Sequence, residues 1–162
     1  MNKNLIEQFE NNISTVWNLS EAEKIFKSSN HFQELLKKPE FKNDLLSRFT
    51  ESKTSIELLR SAKDGFILTA YTEPEGQYRS PPNHGAGWVI YGIIDGEMEM
   101  ATYEFTNELV FKEKYSLKPK DFKVYLPGQI HDTRCLATKS VILRFTSCDL
   151  KKEELEGRMK RF

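Results

Sequence analysis

Apolar residues in the first third of the chain recur at the spacing of amphipathic helices. In the first such segment they share one face while polar residues occupy the other, and they are Leu5, Ile6, Phe9, Ile13, Val16 and Trp17. Ser20 and Glu23 have the form of a capping box, which starts a second helix. Pro39 is tolerated in a first helical turn and starts a third helix that runs toward Phe49. This pattern predicts a helical segment over residues 1–53 that packs on a larger body.

After Thr54 the pattern changes to short apolar runs separated by turn residues. The runs are rich in β-branched and aromatic residues and span 55–59, 66–71, 88–94, 98–105, 110–115, 122–126 and 141–146. Many short strands of this kind indicate a sandwich or barrel. Asp64-Gly65, Asp95-Gly96 and Pro127-Gly128 are turn dipeptides, and we expect strands to pair through them. The highly charged segment 150–162 is expected to form a short helix or a tail.

Length and composition narrow the class of protein. A chain of 162 residues suits one domain, whose core needs neither disulfides nor a structural metal. The 24 basic and 24 acidic residues cancel, so no net field favours nucleic acid or an anionic membrane. There is no run of about 18 apolar residues, and the polar start lacks the apolar core of a signal peptide. We therefore expect a cytoplasmic protein in which Cys135 and Cys148 are reduced thiols.

Two histidines stand in contexts that predict a functional site. His84 closes the tripeptide Pro82-Asn83-His84 ahead of a glycine-rich stretch, and His131 follows the Pro127-Gly128 turn. Side chains on a strand alternate faces, so two metal ligands at positions i and i+2 point the same way. Because proline cannot coordinate a metal, the first of these segments offers one ligand. A shared site requires the fold to bring His84 and His131 together.

These segments resemble the two motifs of the cupin superfamily. With helices ahead of the strands, the chain looks most like the cysteine-dioxygenase-like cupins, which include small thiol dioxygenases. The resemblance implies a mainly β fold, the cupin double-stranded β-helix or jelly-roll barrel, over residues 54–149. It covers most of the chain, from about Asn30 to Asp149, with the N-terminal helical layer at 1–53 ahead of the barrel and the charged tail at 150–162 after it.

The resemblance also implies a ferrous iron site built from three histidines, two in the first motif and one in the second. The matching positions are Pro82, His84 and His131, so two of the three ligands carry over. The glutamate that cupins generally place a few residues after the histidine pair is absent, because Trp88 and Val89 occupy that stretch.

A carboxylate could complete this reduced site, since two histidines and one carboxylate form an established face for non-haem iron. Glu99 is the predicted third metal ligand beside His84 and His131. Other carboxylates on the same strand or ahead of the first motif are Glu97, Glu73 and Glu75.

An arginine is the predicted anchor of the substrate. The resemblance implies one on a strand well before the first motif, where Arg60 stands, and Arg79 lies nearer and could serve the same way. A guanidinium offers the bidentate geometry that a carboxylate accepts. Trp88 is predicted to contact the substrate, and Tyr91 to act in catalysis with the two histidines.

Three functions remain open from the sequence. The first is an Fe(II)-dependent oxygenase, similar to a thiol dioxygenase, that acts on a small acid or thiol. The second is an isomerase, lyase or cyclase in which His84 or His131 is a general acid or base and metal is weak or absent. The third is a non-catalytic cupin that binds a small molecule. In each case the expected partner is a small molecule rather than nucleic acid or membrane, and a homodimer through a barrel edge is expected.

Overall fold

The computed structural model describes residues 3–77 and 80–162. Within these ranges the chain forms three helices, then eight strands, then a short fourth helix. The helices are α1 (Lys3–Val16), α2 (Glu21–Leu36), α3 (Pro39–Ser47) and α4 (Leu150–Leu155). The strands are β1 (Ser55–Arg60), β2 (Ile67–Pro74), β3 (Val89–Asp95), β4 (Met98–Phe105), β5 (Leu109–Leu117), β6 (Phe122–Tyr125), β7 (Ile130–Cys135) and β8 (Lys139–Thr146). This order confirms a mainly β fold with an N-terminal helical layer.

The helical layer begins where the sequence predicts. The Ser20 hydroxyl accepts from the Glu23 amide at 3.4 Å and donates to the Glu23 carboxylate at 2.8 Å, and Pro39 occupies the first turn of α3. The apolar faces of the helices bury against one face of a sheet, in a core that includes Phe9, Ile13, Phe32, Leu36, Leu45, Leu68, Ile90, Leu143 and Phe145. In the described part of the chain, no helix is long and apolar enough to cross a membrane.

The strands form two antiparallel sheets. One has the order β1-β2-β8-β3-β6 and the other the order β5-β4-β7. The chain passes from one sheet to the other four times, between β3 and β4, β5 and β6, β6 and β7, and β7 and β8. This order gives a two-sheet jelly roll, the double-stranded β-helix architecture that cupins share.

The sheet order corrects one expectation about the turns. Strands β1 and β2 pair through Asp64-Gly65 as predicted. The turns at Asp95-Gly96 and Pro127-Gly128 instead carry the chain between the sheets, so their flanking strands do not pair with each other. A register shift in β3 between Ile93 and Asp95 precedes the first crossing. Such an irregularity bends a strand away from its sheet.

The segment that carries Pro82 runs beside β7 without joining its ladder. The Pro82 carbonyl accepts from the His131 amide at 3.1 Å, and Pro82 forms an isolated bridge with Arg161. Pro81 and Pro82 have no amide hydrogen, so the segment cannot propagate a sheet ladder. The second sheet therefore has three strands and an irregular edge at the first motif.

The charged C-terminal segment folds back over this edge. After α4, residues 158–162, which we term the C-terminal strap, lie along the first motif. The Asn83 amide donates to the Lys160 carbonyl at 2.9 Å, and the Phe162 amide donates to the Pro81 carbonyl at 2.9 Å. The strap thus anchors the residues just before His84.

Candidate functional site

The space between the two sheets is closed at one end and open at the other. Near the β3–β4 crossing it is filled by apolar side chains, among them Ile93, Met98, Leu117, Cys135 and Ile142. At the other end lies a cavity of about 450 Å³. Its lining includes His84, Tyr91, His131 and Arg144. The cavity has a size typical of small-molecule sites.

Three donor atoms converge on this cavity. The Nε2 atoms of His84 and His131 lie 3.0 Å apart. The Tyr91 hydroxyl lies 3.1 Å from the first and 3.3 Å from the second. The fold therefore brings together the two predicted histidines and the predicted tyrosine, which come from the first motif, β7 and β3.

His131 is held from two sides. Its Nδ1 lies 3.3 Å from the Gln129 carbonyl, and its ring stacks on the Tyr125 ring with centroids 3.8 Å apart and planes at 9°. The Tyr125 hydroxyl is in turn 2.7 Å from the Tyr115 hydroxyl. Because a carbonyl can only accept, Nδ1 of His131 carries the proton and its Nε2 presents a lone pair to the cavity.

Both imidazoles are neutral at neutral pH. Burial, together with the charges of His131, Arg144 and Arg161, lowers the pKa of His84 to about 2. Burial also lowers the pKa of His131 to about 4, and the hydrogen bond to the Gln129 carbonyl opposes this shift. A neutral imidazole is the form that binds a metal.

The donor set fits a first-row divalent ion. Three neighbouring ligands at about 2.1 Å from an octahedral ion lie about 3.0 Å from one another, close to the separations of His84 Nε2, His131 Nε2 and the Tyr91 hydroxyl. The proton that His131 donates to a backbone carbonyl is a common feature of metal-bound histidine. Among the described residues no cluster of three or more His, Cys, Asp or Glu side chains is suited to a metal. The predicted carboxylate is therefore not part of the site.

Glu99 does not line the cavity, so its predicted role as a metal ligand is wrong. Its neighbours Met98 and Met100 are buried between the sheets, so Glu99 takes the opposite face of β4. There it forms an ion pair with Lys114 at 3.5 Å. Of the alternative carboxylates, Glu73 is buried and lines the cavity.

The predicted substrate residues also lie apart from the histidines. Arg60 is exposed and forms ion pairs at 2.8 Å with Glu57 and with Asp149. Trp88 is 2% exposed and belongs to the core between sheet and helices, where it packs on Phe145. Arg79 lies outside the described residues.

Arg144 is the cavity arginine that the sequence did not single out. It lies on β8 directly opposite Tyr91, so its side chain enters the space between the sheets. Its buried Nε has no hydrogen-bond partner in the described part of the chain, and its guanidinium lies 5.4 Å from the Tyr71 ring centre. A charged residue within the otherwise apolar run 141–145 was the available signal, because buried charges need a partner or a function.

Comparisons with known proteins add structural neighbours. No protein-family model and no curated protein matches the chain. KdgF from Halomonas sp. is 16% identical with a TM-score of 0.48, over 57% of this chain and 74% of that one. A cupin superfamily protein from Desulfitobacterium hafniense is 22% identical with a TM-score of 0.47, over 59% of this chain and 76% of that one. The DMSP lyase DddQ from Ruegeria pomeroyi is 20% identical with a TM-score of 0.47, over 64% of this chain and 53% of that one.

These likenesses have TM-scores below 0.5, so the fold assignment rests on the chain's own strand order. That order defines a double-stranded β-helix fold, and the cavity at its open end holds two histidines.

Proposed function

We propose that this protein is a cupin-type non-haem iron oxygenase that acts on a small molecule bearing a carboxylate, with a thiol as the group that reacts. The observation that carries the proposal is the convergence of two neutral imidazoles, with Nε2 atoms 3.0 Å apart, at the base of an open cavity. Ferrous iron would be held by His84 and His131. When bound, it would supply the activation of dioxygen that these side chains cannot provide.

Arg144 takes the substrate-anchoring role that the sequence suggested for Arg60. Its guanidinium enters the same cavity as the histidines and is opposite Tyr91 in the β3–β8 pairing. A carboxylate would pair with it in the bidentate manner that guanidinium favours. A substrate held there would extend its other end toward His84 and His131.

The chemistry balances for a thiol. Both atoms of dioxygen would end on the sulfur as a sulfinate, so the oxidation of sulfur matches the reduction of dioxygen and no external reductant is needed. The protein's part is to bind the carboxylate, orient the sulfur and keep both imidazoles neutral.

Acid–base catalysis by the histidines is less well supported. An efficient general acid or base has a pKa near the working pH, whereas the pKa of His84 is lowered to about 2 and that of His131 to about 4. Metal-free binding of a small acid is the second candidate. The direct hydrogen bond between the two imidazoles favours it, because that contact satisfies both Nε2 atoms without an ion.

The test is ferrous loading under anaerobic conditions, followed by oxygen uptake with small thiols. The proposal expects one iron per chain and uptake with thiols that bear a carboxylate. His84→Ala and His131→Ala should abolish iron binding, while His31→Gln, in helix α2, is the matched control that keeps it. Wild-type protein that binds no iron but retains a small acid would establish the second candidate instead.

A second pair of variants tests the anchor. Arg144→Met should raise the thiol concentration needed for half-maximal uptake at least tenfold, because a charge-assisted pair worth about 1.5–3 kcal/mol is lost. Arg60→Gln should behave like wild type. If Arg60→Gln raised this thiol concentration and Arg144→Met did not, Arg60 would be the anchor.

A further inference from the structure

We infer that the Tyr91 hydroxyl is the third protein ligand of the metal centre and replaces the ligand that Pro82 cannot supply. The inference rests on the proposed metal site but assigns a residue that this proposal does not require. Iron could be held by two histidines and solvent alone.

The first support is geometric. The hydroxyl lies 3.1 Å from His84 Nε2 and 3.3 Å from His131 Nε2, while those two atoms are 3.0 Å apart. A bystander tyrosine would need to contact only one imidazole. Here the oxygen completes a nearly equilateral triangle, as three neighbouring ligands of one ion would.

The second support is that Tyr91 is held in place. It lies within β3, between β8 and β6, where it is opposite Arg144 on one side and Lys123 on the other. Its ring is buried and meets the Tyr125 ring edge-on at 6.0 Å. The packing fixes the ring, so the hydroxyl is directed at the histidines before any ion arrives.

The third support is that no described carboxylate or thiol, Glu73 of the cavity lining included, forms a group suited to a metal with the two histidines. The Pro82 carbonyl accepts from the His131 amide. The tyrosine oxygen is the side-chain donor that remains in contact with both imidazoles.

Binding through this oxygen has a defined proton balance. The hydroxyl O–H bond breaks, the oxygen forms a bond to the ion, and one proton passes to solvent for each ion bound, with no change in the oxidation state of iron. Oxidation of the bound ion to the ferric state with ferricyanide would then place a phenolate beside a ferric ion. Such a pair absorbs visible light through charge transfer from oxygen to iron.

The experiment compares wild type, Tyr91→Phe and Tyr103→Phe after anaerobic ferrous loading and stoichiometric oxidation with ferricyanide. Tyr91→Phe keeps the buried ring and removes only the oxygen. Tyr103 is the control, because its hydroxyl is 2.9 Å from Asp132 rather than at the histidines. We expect a visible band in wild type and Tyr103→Phe and none in Tyr91→Phe. Ferrous affinity should fall in Tyr91→Phe by more than the roughly 10–100-fold that follows loss of an outer-shell partner.

The outcomes separate this inference from the proposed function. The tyrosine ligand is overturned if wild type binds iron without the visible band, or if Tyr91→Phe keeps both the band and the ferrous affinity. Either result would still be consistent with an iron site built on the two histidines. Wild type that binds no iron overturns both.

Discussion

Burial of the two cavity histidines governs their chemistry. The charged form of either ring would lose its hydration, and for His84 it would also face the positive charges of Arg144 and Arg161. Both rings therefore remain neutral in the folded protein. The same burial makes the fold of the metal-free protein sensitive to acid.

This sensitivity gives a prediction for the metal-free protein. The folded pKa values, about 2 and about 4, lie below the ordinary value of 6.5, so the unfolded chain binds more protons as the pH falls. The free energy of unfolding should be highest above pH 6.5 and decrease below it, by at most about 1.4 kcal/mol per pH unit for each histidine. Urea denaturation at about pH 7 and about pH 5 measures the slope.

The variant His131→Gln should show a shallower slope over the same range, because one of the two titrating groups is gone. An unfolding free energy that does not change from about pH 7 to about pH 5, or that rises toward acid, would show that the histidines are not held neutral by the fold.

The crossing between β3 and β4 positions the two sheets that frame the cavity. The crossing turn is hydrogen-bonded to β8. The Ser140 hydroxyl accepts from the Glu97 amide and donates to the Glu97 carbonyl, each at 3.0 Å. Gly96 has φ +84° in this turn, and a Cβ there would meet Ser140 and, at 2.8 Å, the Lys139 carbonyl. The turn therefore needs glycine for conformation and for space.

Two matched substitutions separate these needs. Gly65 has nearly the same φ, +83°, and nothing lies within 4 Å of a Cβ placed there. Gly65→Ala should cost about 1–2 kcal/mol of unfolding free energy for conformation alone. Gly96→Ala should cost about 1–3 kcal/mol more, because the methyl group collides with β8. Equal losses in urea denaturation would mean that a methyl group at position 96 meets no obstruction from β8.

The link between α4 and the first motif is the second element that shapes the site. Glu153 is buried and accepts from the Ala86 amide at 3.2 Å and from two nitrogens of Arg158 at 2.8 Å. It joins the loop that follows His84 to the start of the C-terminal strap. Loss of this carboxylate should release the loop rather than unfold the sheets.

Glu153→Gln should therefore speed amide hydrogen exchange in a peptide that covers residues 82–88 on the order of tenfold, since a charge-assisted hydrogen bond of about 1.5–3 kcal/mol is weakened. Glu156→Gln is the control, because Glu156 is more exposed and also pairs with Arg158. The idea fails if both variants exchange alike in this peptide.

The periodicity of apolar residues along the chain predicted the fold class well. Helical spacing and caps located α1 to α3, and short apolar runs located seven of the eight strands. Turn residues were less informative. Asp95-Gly96 specifies a local backbone conformation, and this does not determine which sheet the next strand joins.

The site was predictable only in part. His84 and His131 were found from motif context, but Glu99 was placed on the wrong face although Met98 and Met100 on either side already indicated which face of β4 is buried. Arg144 was missed because its neighbours in the sequence are all apolar, so the pattern did not show which face of β8 its side chain takes. Convergence of side chains from separate strands depends on tertiary packing, which spacing along the chain does not encode.

We propose that the cavity holds iron through both imidazoles. X-ray absorption at the iron edge of the anaerobic ferrous protein tests it most directly, because imidazole rings bound to iron give their own multiple-scattering signal. We expect a signal from two histidines in wild type and in His31→Gln, and one from a single histidine, at any residual occupancy, in His131→Ala. A wild-type spectrum without imidazole scattering, or one unchanged by His131→Ala, would contradict an iron site built on His84 and His131.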